Sequence, residues 1–265
     1  MKSGVKEKMR IGTSGMLLTE QRGKILWLTL NRPEKRNALH PTLVQEMLQL
    51  LENIASDNEL QVVVLTGAGT AFSAGLDLET TLGETTVSTE SKLGMVFNLF
   101  QRLYALPQPV IAAINGPAIA GGFDLAQFCD LRLCVPEAIF AQAEINLGLT
   151  QMIYPLYKSI GITRAREWAL TGAVISAEEA CRAGFINHIY PAATLEEEAM
   201  KLAEALAAKP RQALLATKQL SRELLEMDAA SAFDRMGGAI QERLRSAEHQ
   251  DALQSHWARL RERKP

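Results

Sequence analysis

Two uninterrupted apolar runs, Val62–Thr66 and Val110–Ile114, constrain this chain most. Neither alternates polar with apolar residues. Each therefore suits a strand covered on both faces, as in a parallel sheet flanked by helices. Each run also feeds a glycine-bearing turn, Gly67-Ala68-Gly69 after the first and Asn115-Gly116-Pro117 after the second. Pro41 opens a helical pattern to about Ser56, with Leu43, Met47, Leu50, Leu51 and Ile54 on one face. Met16–Gln21 and Lys24–Asn31 read as a hairpin around Arg22-Gly23, and Leu131–Val135 as a further strand. The polar, Thr-rich stretch Glu79–Ser91 reads as a mobile loop, followed by a helix to Leu106 that Pro107 and Pro109 stop. Gly121-Gly122 opens another helix. Strands alternating with helices predict an α/β fold with a parallel sheet.

The pattern changes after Ser176. Helices are predicted over Ala177–Ala183, Leu195–Ala208, Arg211–Met227, Ala229–Ala247 and Ala252–Arg263. The expected organisation is a loose arm over residues 1–14, an α/β core over 15–190 and a helical region over 191–265. A chain of 265 residues can bury about 70–75% of its extended surface, so it needs no disulfide or metal staple. The 28 basic and 30 acidic side chains give a net charge of −2, with no footprint for nucleic acid. No apolar stretch reaches the roughly 18–20 residues of a membrane span. The nearest, Val110–Phe128, is broken by Asn115, Pro117, its glycines and Asp124. Lys2, Lys6, Lys8 and Arg10 are followed only by Met16-Leu17-Leu18, too short for a signal-peptide core. Cys129, Cys134 and Cys181 suit neither a disulfide framework nor a zinc site. A cytoplasmic setting and metal-free chemistry are the expectation.

Three segments can carry chemistry. Thr66–Leu78 is a Gly-rich turn after a buried strand, but Phe72 stands where a dinucleotide fingerprint needs glycine. Ser73 is not in a Gly-x-Ser-x-Gly elbow. Alone, those glycines are better explained by a plain turn. Ile114–Ala126 runs from a strand through Asn115-Gly116-Pro117 and small residues into a helix whose first N–H groups can receive an oxyanion. Asp124 lies in that helix's first turn, where an acid also simply complements the dipole. In Phe140–Leu149, Glu144 stands among apolar and small residues. Half-burial would raise its pKa toward neutrality, although a rim glutamate is the plainer alternative.

Together, in this order and spacing, the segments resemble the crotonase (enoyl-CoA hydratase/isomerase) superfamily. The resemblance spans nearly the whole chain, from Asn31-Arg32-Pro33-Glu34-Lys35-Arg36-Asn37-Ala38-Leu39 through Ser73-Ala74-Gly75-Leu76-Asp77-Leu78 to Thr171–Ala180 and Gly184-Phe185-Ile186-Asn187. It implies a ββα spiral core with a C-terminal helical region that packs trimers, often paired into hexamers. It implies an acyl-CoA thioester held by the backbone N–H groups of Leu76 and Gly121. Arg36, Ala38, Ala74, Asp77 and Leu78 match positions lining the CoA site, and Asp124 and Glu144 match the two acid/base positions. Coenzyme A is then part of the substrate, and no other cofactor or metal is implied. The implied reaction is reversible hydration of a 2-enoyl-CoA through a stabilised enolate. Double-bond isomerisation and silent acyl-CoA binding are the alternatives.

Three departures from the family pattern stand out. Asp124 replaces the glutamate typical of hydratases, and Ala143 replaces the proline before the second acid. Thr150-Gln151-Met152-Ile153-Tyr154-Pro155 replaces a Pro-Gly-x-Gly-Gly loop, so Met152, Ile153 and Tyr154 are candidates for a remodelled acyl pocket. Gly-Gly-Phe-Asp-Leu is similar to dienoyl-CoA isomerases, but Met152 stands at that subfamily's further acid position and cannot shuttle a proton.

Overall fold

A computed structural model describes residues 14–81 and 85–262. The chain divides into two compact units, Met1–Glu204 and Ala205–Pro265. Nearly all of the expected N-terminal arm lies outside the described residues. Ser14, its last member, donates from both its N–H and its hydroxyl to the Glu46 carboxylate, at 3.0 and 2.8 Å.

The first unit is built on a six-stranded sheet in the order β1-β2-β3-β4-β6-β9. Strands β1 (Leu17–Arg22) and β2 (Ile25–Leu30) form the antiparallel hairpin, with Arg22 paired to Ile25 and Gly23 at φ +62° in the tight turn. From β2 onward every pairing is parallel, through β3 (Val62–Gly67) and β4 (Val110–Ile114). All five residues of β4 and five of the six in β3 are buried, which is why their sequences do not alternate. Helix α1 (Pro41–Ser56) crosses between β2 and β3, opened by Pro41 and by His40, whose Nδ1 accepts from Thr42 N–H. It buries Leu43, Val44, Met47, Leu50, Leu51 and Ile54. Each such side chain contributes about 1.5–3 kcal/mol on burial.

The segment Glu79–Ser91 is not the loop its composition predicts. It holds the short α2 (Leu78–Thr81) and the start of α3 (Thr86–Ala105). Thr85 caps α3: its hydroxyl accepts from Ser88 N–H, and its own N–H donates to Ser88 Oγ. Threonine and serine that suggest a loop by count are here a reciprocal cap.

A second, three-stranded sheet orders β5 (Ala118–Ile119), β7 (Ile139–Ala141) and β8 (Ile175–Ser176). Between β5 and β7 lie α4 (Gly121–Gln127) and β6 (Leu131–Cys134). A 3-10 turn, Ala143–Leu147, leads to α5 (Leu156–Ile160) and α6 (Ile162–Thr171). After β8, α7 (Ala177–Arg182) precedes β9 (His188–Ile189). Helix α8 (Leu195–Ala207) follows β9 in the chain.

The second unit continues with α9 (Arg211–Glu223), α10 (Ala229–Leu244) and α11 (Ala247–Glu262). Arg235 of α10 pairs with Glu223 of α9 at 2.7 Å, and the Glu248 carboxylate of α11 accepts from the Gln212 and Ala213 N–H groups that open α9. Among the described residues no helix is long and apolar enough to cross a membrane.

Candidate active site

The site is assembled from two turns that hold each other. Asn37 is fully buried, and its side chain donates to Ala68 O and Ala71 O (2.8 and 2.7 Å) while accepting from Arg32 N–H at 2.9 Å. It thereby ties the segment Pro33–Leu39 to the Gly67–Phe72 turn. Leu39 N–H then donates to Gly75 O, and Ala74 N–H to Arg36 O, fixing residues 73–77 beside it. Phe72 and Ser73 N–H reach Pro117 O, and Ile119 N–H reaches Ser73 O, joining this turn to the one after β4.

That junction sets two amides side by side. Gly75 takes φ +89°, and a Cβ there would lie 2.9 Å from Gly121 N. A Cβ on Gly121 would lie 3.6 Å from Leu76 N. Ala120 is held at φ +53°, a left-handed backbone that costs an L-residue of order 1–3 kcal/mol. The hydrogen bond from Ala120 N–H to Ala141 O, 2.7 Å, keeps it there. The strain turns the chain so that Gly121 opens α4 with its N–H free. Among the described residues no protein acceptor takes the N–H of Leu76 or Gly121. Two neighbouring unpaired donors, one of them at the start of α4, are suited to a developing oxyanion.

Leu76 and Gly121 line a pocket of ≈190 Å³ that also holds Asp124 and Glu144. Its apolar wall comes mainly from α3 (Leu93, Val96, Phe97, Phe100), with Leu149 and Met152 opposite. Asp124 is buried on α4, and Gln127 Nε2 donates to its Oδ1 at 2.7 Å. Burial drives the Asp124 carboxyl well above the ordinary carboxylate range, and the Glu144 charge adds to this. Hydrogen bonds from Gln142 and Gln127 pull partly the other way. Glu144, half-buried in the 3-10 turn, is also raised, again by burial. Its Oε2 accepts from the Gln151 carboxamide at 3.0 Å when that amide is oriented to satisfy its neighbours.

The structure thus brings Leu76, Gly121, Asp124, Glu144 and Met152 to one cavity. Ile153 and Tyr154 lie outside its lining; the Tyr154 hydroxyl meets that of Tyr104 at 3.1 Å. Arg36, Ala38, Ala74, Asp77 and Leu78 gather along the paired segments 33–39 and 73–78, also outside the apolar lining. Asp77 is engaged within the fold: its carboxylate pairs with the Arg32 guanidinium at 2.9 Å, both groups buried. Burial pushes the Asp77 carboxyl upward, but the Arg32 and Thr80 hydrogen bonds outweigh it and the net shift is downward.

Leu93, Val96, Phe97 and Phe100 lie within the helix that the sequence predicts up to Leu106 and carry the i, i+3, i+4, i+7 period, but no local signal tells which cavity that face lines. Gln127 was missed. Its signal is the one uncharged polar residue within the run Phe123-Asp124-Leu125-Ala126-Gln127-Phe128, three residues after the acid.

The sequence profile of the enoyl-CoA hydratase/isomerase family matches residues 20–262. The short-chain-enoyl-CoA hydratase of Clostridium acetobutylicum is 32% identical over 242 residues, covering 89% of this chain and 92% of that one. The 2,3-dehydroadipyl-CoA hydratase of Escherichia coli is 35% identical over 221 residues, covering 80% and 83%. The crystal structure of an enoyl-CoA hydratase from Bacillus anthracis superposes with a TM-score of 0.89 at 29% identity, covering 92% of this chain and 96% of that one. The two facing turns and the helical tail therefore have a shared ancestry behind them, and the chain belongs to the enoyl-CoA hydratase/isomerase family, the crotonases.

Proposed function

We propose that this chain catalyses the reversible hydration of a 2-enoyl-CoA thioester. The observation that carries the proposal is the single pocket in which the Leu76 and Gly121 amides face two carboxyl groups with raised proton affinity. The thioester carbonyl would accept from both N–H groups, and the charge of the enolate would collect on that oxygen. Glu144, the more exposed acid, serves as the base: it takes a proton from water as the water oxygen bonds to Cβ. Asp124, kept neutral by deeper burial, delivers its proton to Cα as the enolate collapses. One carboxyl accepts and the other donates, a division that their different environments support. Solvent exchange then restores the two starting forms, and dehydration runs the same steps backward.

The matched rim around Arg36, Ala38, Ala74, Asp77 and Leu78 would carry the CoA portion, largely through backbone. No cofactor beyond the substrate's own coenzyme A is required. The free thiols of Cys129, Cys134 and Cys181 suit a cytoplasmic setting. Self-association as a homotrimer or dimer of trimers belongs to the proposal. Its support is the exposed apolar set Phe233, Ile240 and Leu244 on α10 with Trp257 and Leu260 on α11.

Crotonyl-CoA and longer enoyl-CoAs incubated in heavy-oxygen water test the chemistry. Label at Cβ is the expected result. A shifted double bond without label would assign an isomerase, and bound substrate without turnover would remove the catalytic reading.

A further inference from the structure

Helix α4 buries every one of its seven residues, and Gln127 is the one carboxamide among them. It stands one turn after Asp124 on the same face. Its Nε2 uses both hydrogens, one to Asp124 Oδ1 at 2.7 Å and one to Met152 O at 3.2 Å. A second glutamine reaches the same two places from the other side. Gln142 ends the β7 segment just before the 3-10 turn, its Nε2 donates to Met152 O at 2.9 Å, and its side chain also hydrogen-bonds Asp124. Gln127 is 4% exposed and Gln142 2%.

Both carboxamide oxygens are buried without a partner. An apolar residue of similar size at 127 would avoid that desolvation penalty. The orientation of both amides is therefore set by what their N–H groups hold, and both hold the acid and the pocket wall. Asp124 has a shorter side chain than glutamate and must be aimed from a fixed backbone, so a donor on each side restricts its carboxyl to one orientation.

We propose that Gln127 is a positioning residue of the reaction, acting through Asp124: with Gln142 it forms a two-amide clamp that locks the acid to the Met152 carbonyl. The proposal rests on the hydration reading for its catalytic consequence. The clamp itself is testable without turnover. The titratable group facing Asp124 is Glu144. Helix α3 presents Leu93, Val96, Phe97 and Phe100, and residues 149–152 present Leu149, Thr150 and Met152 to the pocket, none of them charged.

The test compares wild type, Gln127→Met, Asp124→Asn and the double variant, with Gln127→Leu as a second, uncharged probe should the methionine variant fold poorly. First, the Asp124 carboxyl is titrated without substrate by isotope-edited infrared or carbon NMR, assigned through Asp124→Asn. Loss of a donor to the carboxylate should move its midpoint upward by about one unit in either Gln127 variant. An unmoved midpoint overturns the clamp. Second, Gln127→Met should lower kcat on crotonyl-CoA about tenfold with KM within about twofold, and should have no further effect in the Asp124→Asn background. An equal loss in both backgrounds means that Gln127 supports the fold and does not act through Asp124, which also overturns the proposal. If wild type fails to hydrate any enoyl-CoA, the hydration reading falls alone, because the titration still decides the clamp.

Discussion

The proposed hydration gives Asp124 and Glu144 opposite tasks, and their surroundings would set the pH behaviour of both. Glu144→Gln should leave binding of a CoA ester nearly intact and lower kcat by about 10²–10⁴, the range typical of a lost acid/base group. Turnover should follow a bell in pH: it falls on the acid side as Glu144 gains its proton and on the alkaline side as Asp124 loses its own. Both limbs should sit above the ordinary carboxylate range, since burial raises both groups, and the apparent values belong to the pair. Stability should instead decline in one direction as pH rises. A carboxyl raised by folding contributes stability below its unfolded pKa of about 3.9, and that contribution is lost as pH rises through the folded value. Asp124→Asn should therefore raise Tm at pH 8 and change it little at pH 4, measured by thermal scans at both. At Gly75 the constraint is steric. Alanine there would hold φ +89° against preference and bring its Cβ to 2.9 Å from Gly121 N. Turnover should drop by about 10²–10³, as for loss of one oxyanion donor, with a lower Tm.

At the scale of elements, the two turns act as one piece because the Ser73–Pro117–Ile119 bonds join them, and Asn37 anchors the first of them to the segment before α1. Asn37→Ala would remove the bonds to Ala68 O and from Arg32 N–H and leave Ala71 O only the longer bond from Asn115 Nδ2 at 3.3 Å, and should destabilise the chain by about 3 kcal/mol. The check is a thermal or denaturant shift together with a fall in kcat, since Leu76 and Gly121 would no longer be held in register. The β3 and β4 strands, α1 and the β1–β2 hairpin were legible in the sequence because each is specified by its own local pattern. Helix α3 was legible only in part: its core period was visible, but its first turn hid among threonines and serines whose capping depends on which hydroxyl faces which amide. The small sheet β5-β7-β8 was not legible at all. Strands of two or three residues carry no period, and their pairing joins residues far apart in sequence.

For the molecule as a whole, the exposed apolar residues of α10 and α11 should be covered in an assembly. Light scattering should give about 87 or 175 kDa, three or six times the 29.1 kDa chain. Phe233, 73% exposed, and Ile240, 60% exposed, are the places to break it. Phe233→Lys combined with Ile240→Lys should yield smaller species by the same measurement, and an unchanged mass would exclude that face from the assembly. The sequence by itself determined the α/β class, the helical tail and the two glycine turns, and through the family motifs it pointed to Asp124 and Glu144. These follow from periodicity, backbone freedom and a motif order that survives without coordinates. Only the tertiary structure decided which groups share a cavity. It set Leu76 and Gly121 side by side in one pocket beside a strained Ala120, turned Asp77 toward Arg32, and brought α3 and Gln127 to the acid. Those outcomes depend on contacts between segments distant in the chain, where burial and hydrogen-bond geometry, not local preference, select the arrangement.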